Sequence, residues 1–235
     1  MEESLITPLT SETSEVVVAT APAVPKQTVD TSHNANVSGE TLMKDLNVAR
    51  LGLVHNTSPK SVKDAVPEDH YALNGELDLG LDVEIIVMGY DQWYQQWLDY
   101  ADERTPKRWT KQEDYIADGF SMDKDAENRA IQVMDAHCLV EVPADYGKWK
   151  YGDKYYVNCR LRLKSRAWGA ARQLITMVND YPFRPLHKNK WTISHESDLK
   201  GKNEYIYATM RGAGTIEDED FINAIAEKYA ITMPS

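Results

Sequence analysis

From Val48 onward, hydrophobic and polar residues alternate in short runs, which is the pattern of β-strands that bury one face. Polar or glycine-containing segments separate these runs and predict a loop at 56–67, a turn at 74–80 and a charge-rich excursion at 99–129. The strands predicted from this alternation are Val48–Val54, Leu81–Trp97, Ala130–Pro143, Lys154–Lys164, Trp191–His195 and Tyr205–Arg211.

The segment 154–164 shows the alternation most clearly. Its inward positions are predicted to be Tyr155, Val157, Cys159, Leu161 and Leu163. Its outward positions are predicted to be Lys154, Tyr156, Asn158, Arg160, Arg162 and Lys164. Successive side chains of a strand point to opposite faces, so this strand is expected to have one core face and one basic face that includes a tyrosine.

Two helices are predicted in the C-terminal half. Ser165 is placed to cap a helix in which hydrophobic residues recur at helical spacing from Trp168 to Val178, and the Tyr181-Pro182 step ends it. The acidic run 217–220 opens a last short helix. These elements lack a βαβ rhythm. They predict a mostly-β, α+β fold: an OB-like antiparallel barrel with one internal helix and a C-terminal helix. A β-sandwich is the alternative.

The first 40 residues differ in composition from the rest. They contain no aromatic residue, and Pro22 and Pro25 follow their one apolar run, Val16–Val18. Residues 1–40 are therefore expected to form a disordered tail, and 41–235 a single domain. The chain has no apolar run of membrane-spanning length, an acidic N-terminus and two cysteines. Together these features predict a reduced, cytoplasmic protein with no membrane partner.

Charge is distributed unevenly along the chain. The net charge is −11, yet residues 141–212 contain 14 basic and 7 acidic residues. Aromatic residues are interleaved with these cations between Gly147 and Lys202. Single-stranded nucleic acid requires both kinds of residue, because cations neutralise phosphates and flat rings stack on exposed bases. This segment is therefore predicted to bind single-stranded nucleic acid.

The proposed contacts follow from the predicted outward positions. Arg160, Arg162 and Lys164 are assigned to phosphates, because like charges aligned on one strand repel and an anionic ligand would relieve that repulsion. Tyr156, Trp149 and Tyr207 are assigned to base stacking. Arg50 and Arg211 are expected to extend this basic patch, and Lys150 and Lys154 are assigned to the same interface.

Enzymatic motifs are absent from the sequence. It has no phosphate-binding glycine loop and no His pair at metal-ligand spacing, so no catalysis and no cofactor is expected. Two alternatives stay open. The basic face could meet an acidic partner in a structural or interaction protein, or acidic clusters such as Asp82/Glu84 could hold magnesium in a nuclease.

Several short motifs resemble one protein family. They are Val157–Arg166 followed by Ala170–Leu174, the Trp191–Ser194 segment leading to Lys200–Asn203, and the opening Ala49–Leu53 with Ser58-Pro59. In these motifs the chain resembles phage-encoded single-stranded-DNA-binding proteins of the OB-fold type. The resemblance covers roughly residues 48–230, although the cysteine-containing middle segment of many relatives is missing from 99–129.

The resemblance implies a biological setting. It implies sequence-tolerant binding of single-stranded DNA during phage DNA replication or recombination, in the cytoplasm of an infected bacterial host. Replication or recombination proteins would then be partners. Pairing of an exposed barrel edge with a second copy would give a homodimer.

Overall fold

The structure is a computed structural model that describes residues 48–99, 102, 104–180, 185–200 and 203–228. Outside the described residues lie the predicted tail 1–40, the Tyr181-Pro182 step that was predicted to end a helix, and residues 201 and 202 of the Lys200–Asn203 turn. The strands are β1 Ala49–Leu53, β2 Tyr71–Leu73, β3 Leu77–Gly80, β4 Val83–Gln96, β5 Arg108–Trp109, β6 Ala130–Val142, β7 Trp149–Tyr151, β8 Lys154–Lys164, β9 Asn189–Lys200 and β10 Asn203–Thr215. The α-helices are α1 Lys60–Ala65, α2 Gln112–Ala117, α3 Trp168–Asp180 and α4 Glu219–Lys228.

All ten strands belong to one mixed sheet. Eight of them follow the order β10-β9-β4-β6-β8-β1-β2-β3, with β5 attached to β4 and β7 attached to β8. β4, β6 and β8 form an antiparallel meander, α3 follows, and β9 then returns to pair with β4. β1 lies parallel to β8, with Arg50 opposite Arg160. The mostly-β, α+β prediction is therefore confirmed.

The sheet is strongly curled, and its inner face encloses the main core. Hydrophobic side chains from seven strands meet there, and Ala170, Ala171, Leu174 and Val178 of α3 pack onto them. The Tyr71 hydroxyl of β2 donates a hydrogen bond of 2.6 Å to the Ser194 carbonyl of β9. Because β2 and β9 are far apart in the strand order, this bond shows how far the sheet curls.

The helix α4 covers one end of the outer face. Phe221, Ile222 and Ile225 pack there against Ile86, Met88, Leu139 and Tyr156. The prediction that Tyr156 faces solvent is wrong, since its side chain is fully buried. The alternation of β8 is correct, but α4 covers the outer face at this position. The Tyr156 hydroxyl donates to Glu84 at 3.1 Å, and burial raises the pKa of the phenol.

The helix α1 covers a second part of the outer face. Val62 on α1 packs with Val54, Val66 and Ala72, and the loop predicted at 56–67 contains this six-residue helix. Of the turn predicted at 74–80, only residues 74–76 connect β2 to β3, with Gly75 at φ +75°, and residues 77–80 form β3 itself. Within 99–129, Trp109, Tyr115 and Phe120 form a small aromatic cluster against β4.

The strand and helix predictions are largely confirmed elsewhere. The structure gives β8 the predicted bounds, and Ala208 and Met210 of β10 point inward as expected. The capping role predicted for Ser165 is wrong, because this residue adopts a left-handed conformation, φ +53°, and begins a 3-10 turn before α3. No helix in the described part of the chain is long and apolar enough to cross a membrane.

Candidate nucleic-acid interface

Between α1 and α4, part of the outer face is left uncovered, and we call it the open face. Residues 50, 91, 93, 135, 137, 160, 162 and 164 form it. β8 contributes its three predicted phosphate contacts because Arg160, Arg162 and Lys164 alternate with the buried Leu161 and Leu163. The strand pairings place Arg50 beside Arg160 and Asp135 beside Arg162.

Arg162 is held by a carboxylate. Its Nε and one Nη donate to the two oxygens of Asp135, each at 2.7 Å, in a bidentate pair that raises the pKa of the guanidinium. The Asp135 side chain is only 8% exposed, whereas that of Arg162 is 37% exposed. Asp135 is therefore a buried charge whose main partner reaches solvent.

Asp135 also changes the argument about repulsion along β8. An Nη of Arg160 lies 3.8 Å from the same carboxylate. The repulsion between Arg160 and Arg162 is thus partly relieved inside the protein by Asp135, so this repulsion alone does not require an external anion. Two guanidinium groups share one carboxylate, so the pair of arginines keeps a net positive charge.

Trp93 of β4 adds an aromatic ring to the open face. The Arg162 guanidinium carbon lies 5.2 Å from the centre of this ring, and that of Arg108 lies 4.7 Å from it. Both distances lie within the range of cation–π attraction. β5, which pairs with the end of β4, thereby brings a cation from the 99–129 excursion onto the open face.

Besides the Arg162–Asp135 pair, the open face has a contact between a histidine of β6 and a carboxylate of β4. His137 Nε2 is 2.9 Å from an Asp91 oxygen. Counting Arg108 with the open face, five cationic side chains stand against the carboxylates of Asp91 and Asp135, and these charges sum to +3 when His137 is left out of the count. A chain with net charge −11 therefore presents a positive surface here.

Lys164 lies at the end of β8 and has no ion pair within the described residues. Partial burial, and secondarily the positive charge of Arg162, lower the pKa of its ammonium group. A phosphate placed beside Lys164 would offset both effects, because it would supply the missing counter-charge.

Three other candidates lie at the opposite end of β8. Lys154 is eight residues from Arg162, which corresponds to about 26 Å along a strand. Its ammonium group binds Glu141 at 2.6 Å and Glu84 at 3.4 Å, and these interactions raise its pKa. Lys150 lies over the Tyr155 ring at 5.6 Å, and Trp149 packs against the core beneath α4. These residues do not join the open face.

The last two candidates, Tyr207 and Arg211, lie on the edge strand β10. The Tyr207 hydroxyl donates to Glu196 at 3.2 Å, and Arg211 is exposed. The curl of the sheet brings the β9–β10 hairpin toward the end of β8, where Arg166 binds Asp198 at 2.9 Å and lies 4.2 Å from the centre of the Tyr205 ring.

Sequence reasoning missed Trp93, Arg108 and Asp135. A bulge between Val87 and Gly89 reverses which positions of β4 face outward. Trp93 therefore lies on the outer face, although the alternation in the first half of the strand would place it on the inner face. Asp135 is flanked by hydrophobic residues on both sides in β6, and a carboxylate in such a setting was the signal that could have identified a partner for the arginines.

The described residues contain no group of three or more His, Cys, Asp or Glu side chains arranged to hold a metal ion. Two carboxylates and four cationic side chains on paired strands, with a fifth cation and an indole ring beside them, form a surface suited to an extended polyanion with flat groups. No protein-family model, curated protein or solved structure matches the chain.

Proposed function

We propose that the protein binds single-stranded DNA without sequence preference, through the open face of its curled sheet. The observation that carries this proposal is the clustering of Arg50, Arg160, Arg162 and Lys164 beside the Trp93 ring. Phosphates would be neutralised by the cations, and bases would lie against the indole. These contacts do not distinguish one base from another, because the guanidinium and ammonium groups bind the phosphate backbone of the DNA.

The strand order supports an OB-like assignment. The chain forms a three-stranded meander, β4-β6-β8, which is followed by the helix α3. The fourth strand, β9, then returns to pair with the first strand of the meander, β4. OB-folds bind oligonucleotides on their second and third strands and on the loops after the first and fourth. In this assignment those strands are β6 and β8. The two loops are the segment 97–129, which contains the charge-rich excursion, and the turn between β9 and β10. β1 pairs with β8, so the sheet departs from the simple five-stranded barrel of an OB-fold.

The resemblance of the sequence to phage single-stranded-DNA-binding proteins adds the setting. We propose that the protein coats single strands during phage DNA replication or recombination in the host cytoplasm, with proteins of those processes as partners. A homodimer formed through a sheet edge belongs to the same proposal.

Fluorescence anisotropy tests the proposal with a labelled oligothymidylate and the matching duplex at two salt concentrations. The single strand should bind more tightly, and salt should weaken its binding. Arg160→Gln should reduce the slope of log K against log salt by about 0.7, the value for one phosphate contact on single strands. Arg160 suits this test because Arg162 still holds Asp135 when Arg160 is replaced.

Arg172→Gln is the matched control, since it removes the same charge from the exposed side of α3, away from the open face. Equal effects of the two variants would refute the assignment of the site. Binding of an acidic polypeptide but of no oligonucleotide would instead favour an interface for an acidic protein partner.

A further inference from the structure

Next to the open face is a pocket that the predicted contacts do not use. It has a volume of about 250 Å³ and lies between α1 and the strands β1 and β2. Its lining includes Arg50, Gly52, Pro59, Val62, Ala72 and Asn74. Gly52 leaves it open, because a Cβ atom built on this residue would meet no atom within 4 Å.

The pocket is continuous with the open face through β1. Arg50 and Gly52 are alternate residues of β1, and Leu51 between them points into the main core. They therefore share the outer face with Arg160, which is the pairing partner of Arg50 on β8. Neighbouring strands lie about 4.8 Å apart, so a strand of DNA leaving Arg160 reaches the pocket within two strand spacings.

The chemistry of the pocket fits a flat, partly polar ring. Pro59, Val62 and Ala72 supply apolar walls, and Arg50 supplies a cation at the side facing Arg160. The side-chain Oδ1 of Asn74 accepts the Arg50 backbone N–H at 2.8 Å, whereas no described residue accepts the Asn74 side-chain N–H groups. Those donors suit the acceptor atoms on a base edge. The volume is below the roughly 300–1,000 Å³ of sites for drug-sized ligands.

We propose that this pocket is a base-binding subsite that receives one unstacked nucleobase of the DNA strand, whose adjacent phosphate Arg50 contacts. The inference rests on the proposed function and extends it. β1, α1 and β2 lie outside the β4-β6-β8-α3-β9 arrangement, so the N-terminal elements would lengthen the DNA path beyond the β6–β8 surface.

Gly52→Leu tests the subsite by filling it. The variant side chain has room at its Cβ, and Gly52 has no positive φ, so the strand can keep its conformation. Gly212→Leu is the matched control, because Gly212 is also a strand glycine without positive φ or a nearby atom, and it lies on β10. Affinity is measured for oligothymidylates of increasing length, with circular dichroism as the check on folding.

For the wild type, affinity should rise with length until the subsite is filled. Gly52→Leu should bind the shortest oligonucleotides normally, reach its plateau at a shorter length, and lose about tenfold in affinity for long ones, which is the value of one well-stacked base. Gly212→Leu should match the wild type.

Photocrosslinking provides a second measurement that needs no variant. Oligothymidylate containing 4-thiothymidine is irradiated on the wild-type protein, and the crosslinked peptide is identified by mass spectrometry. Crosslinks to the segment 58–62 or 72–75 support the subsite. Crosslinks confined to β4, β6 and β8, or an unchanged length profile in folded Gly52→Leu, overturn it while the proposed function stands. Absence of any single-strand binding at low salt overturns both.

Discussion

Removing either partner of the Arg162–Asp135 pair should destabilise the fold, but by different amounts. Arg162→Ala leaves the carboxylate of Asp135 in a site that is only 8% exposed. Removing one partner of a buried ion pair lowers the free energy of unfolding by about 3–5 kcal/mol. Because the Arg162 side chain is 37% exposed, water can partly replace it, and we expect Arg162→Ala to lower the free energy of unfolding by about 2–3 kcal/mol. Asp135→Asn keeps an acceptor and leaves a guanidinium that can turn to solvent, so we expect about 1 kcal/mol.

Equilibrium urea unfolding followed by tryptophan fluorescence measures both free energies of unfolding. The double variant Asp135→Ala/Arg162→Ala completes a cycle with the two alanine single variants. Its loss should be smaller than the sum of the single losses by about 1–2 kcal/mol, since the two side chains are in direct contact. The reasoning is refuted if Asp135→Asn costs as much as Arg162→Ala, or if the alanine effects are additive.

Three further predictions concern buried groups. Burial lowers the pKa of His187 to about 4, so below pH 6.5 the unfolded chain binds more protons than the folded chain. The free energy of unfolding should therefore fall by up to about 3 kcal/mol between pH 6.5 and pH 4. Urea unfolding of His187→Phe should lack this loss. Tyr156→Phe should lose about 1 kcal/mol with its hydrogen bond to Glu84, and anisotropy should show unchanged affinity for single-stranded DNA. Burial raises the pKa of Cys159, so Ellman's reagent should label it and Cys138 only on unfolding; rapid labelling of the folded protein would contradict their burial.

The local sequence patterns predicted the bounds of strands and helices better than they predicted which elements pack against them. The 154–164 alternation fixed the bounds and faces of β8 because it depends only on the direction of successive side chains. The same pattern placed Tyr156 in solvent, since burial there depends on α4, more than 60 residues later in the chain. The six-residue α1 has no side-chain cap, so its sequence carried little helical signal.

The site was predicted in part for related reasons. Arg160, Arg162 and Lys164 lie where the alternation of one strand put them. Lys154 and Lys150 share the charge of these residues and their neighbourhood in sequence, but Lys154 begins the extended strand β8 and Lys150 lies on β7 beside that end, so both are far from Arg162. Trp93 and Asp135 come from strands whose pairing with β8 and with each other is a tertiary feature, which a single sequence does not display.

The parallel pairing of β1 with β8 also bears on how the chain folds during synthesis. Arg50 and its partner Arg160 are 110 residues apart in sequence, so β1 leaves the ribosome long before the strand it joins. At about 5–20 residues per second, β8 follows after roughly 5–20 s. During that interval the segment containing β1 has no partner on its β8 side, and such an unpaired edge can associate with other chains. High contact order of this kind slows folding, so expression at reduced temperature or with a chaperone that shields exposed strands should raise the yield of folded protein.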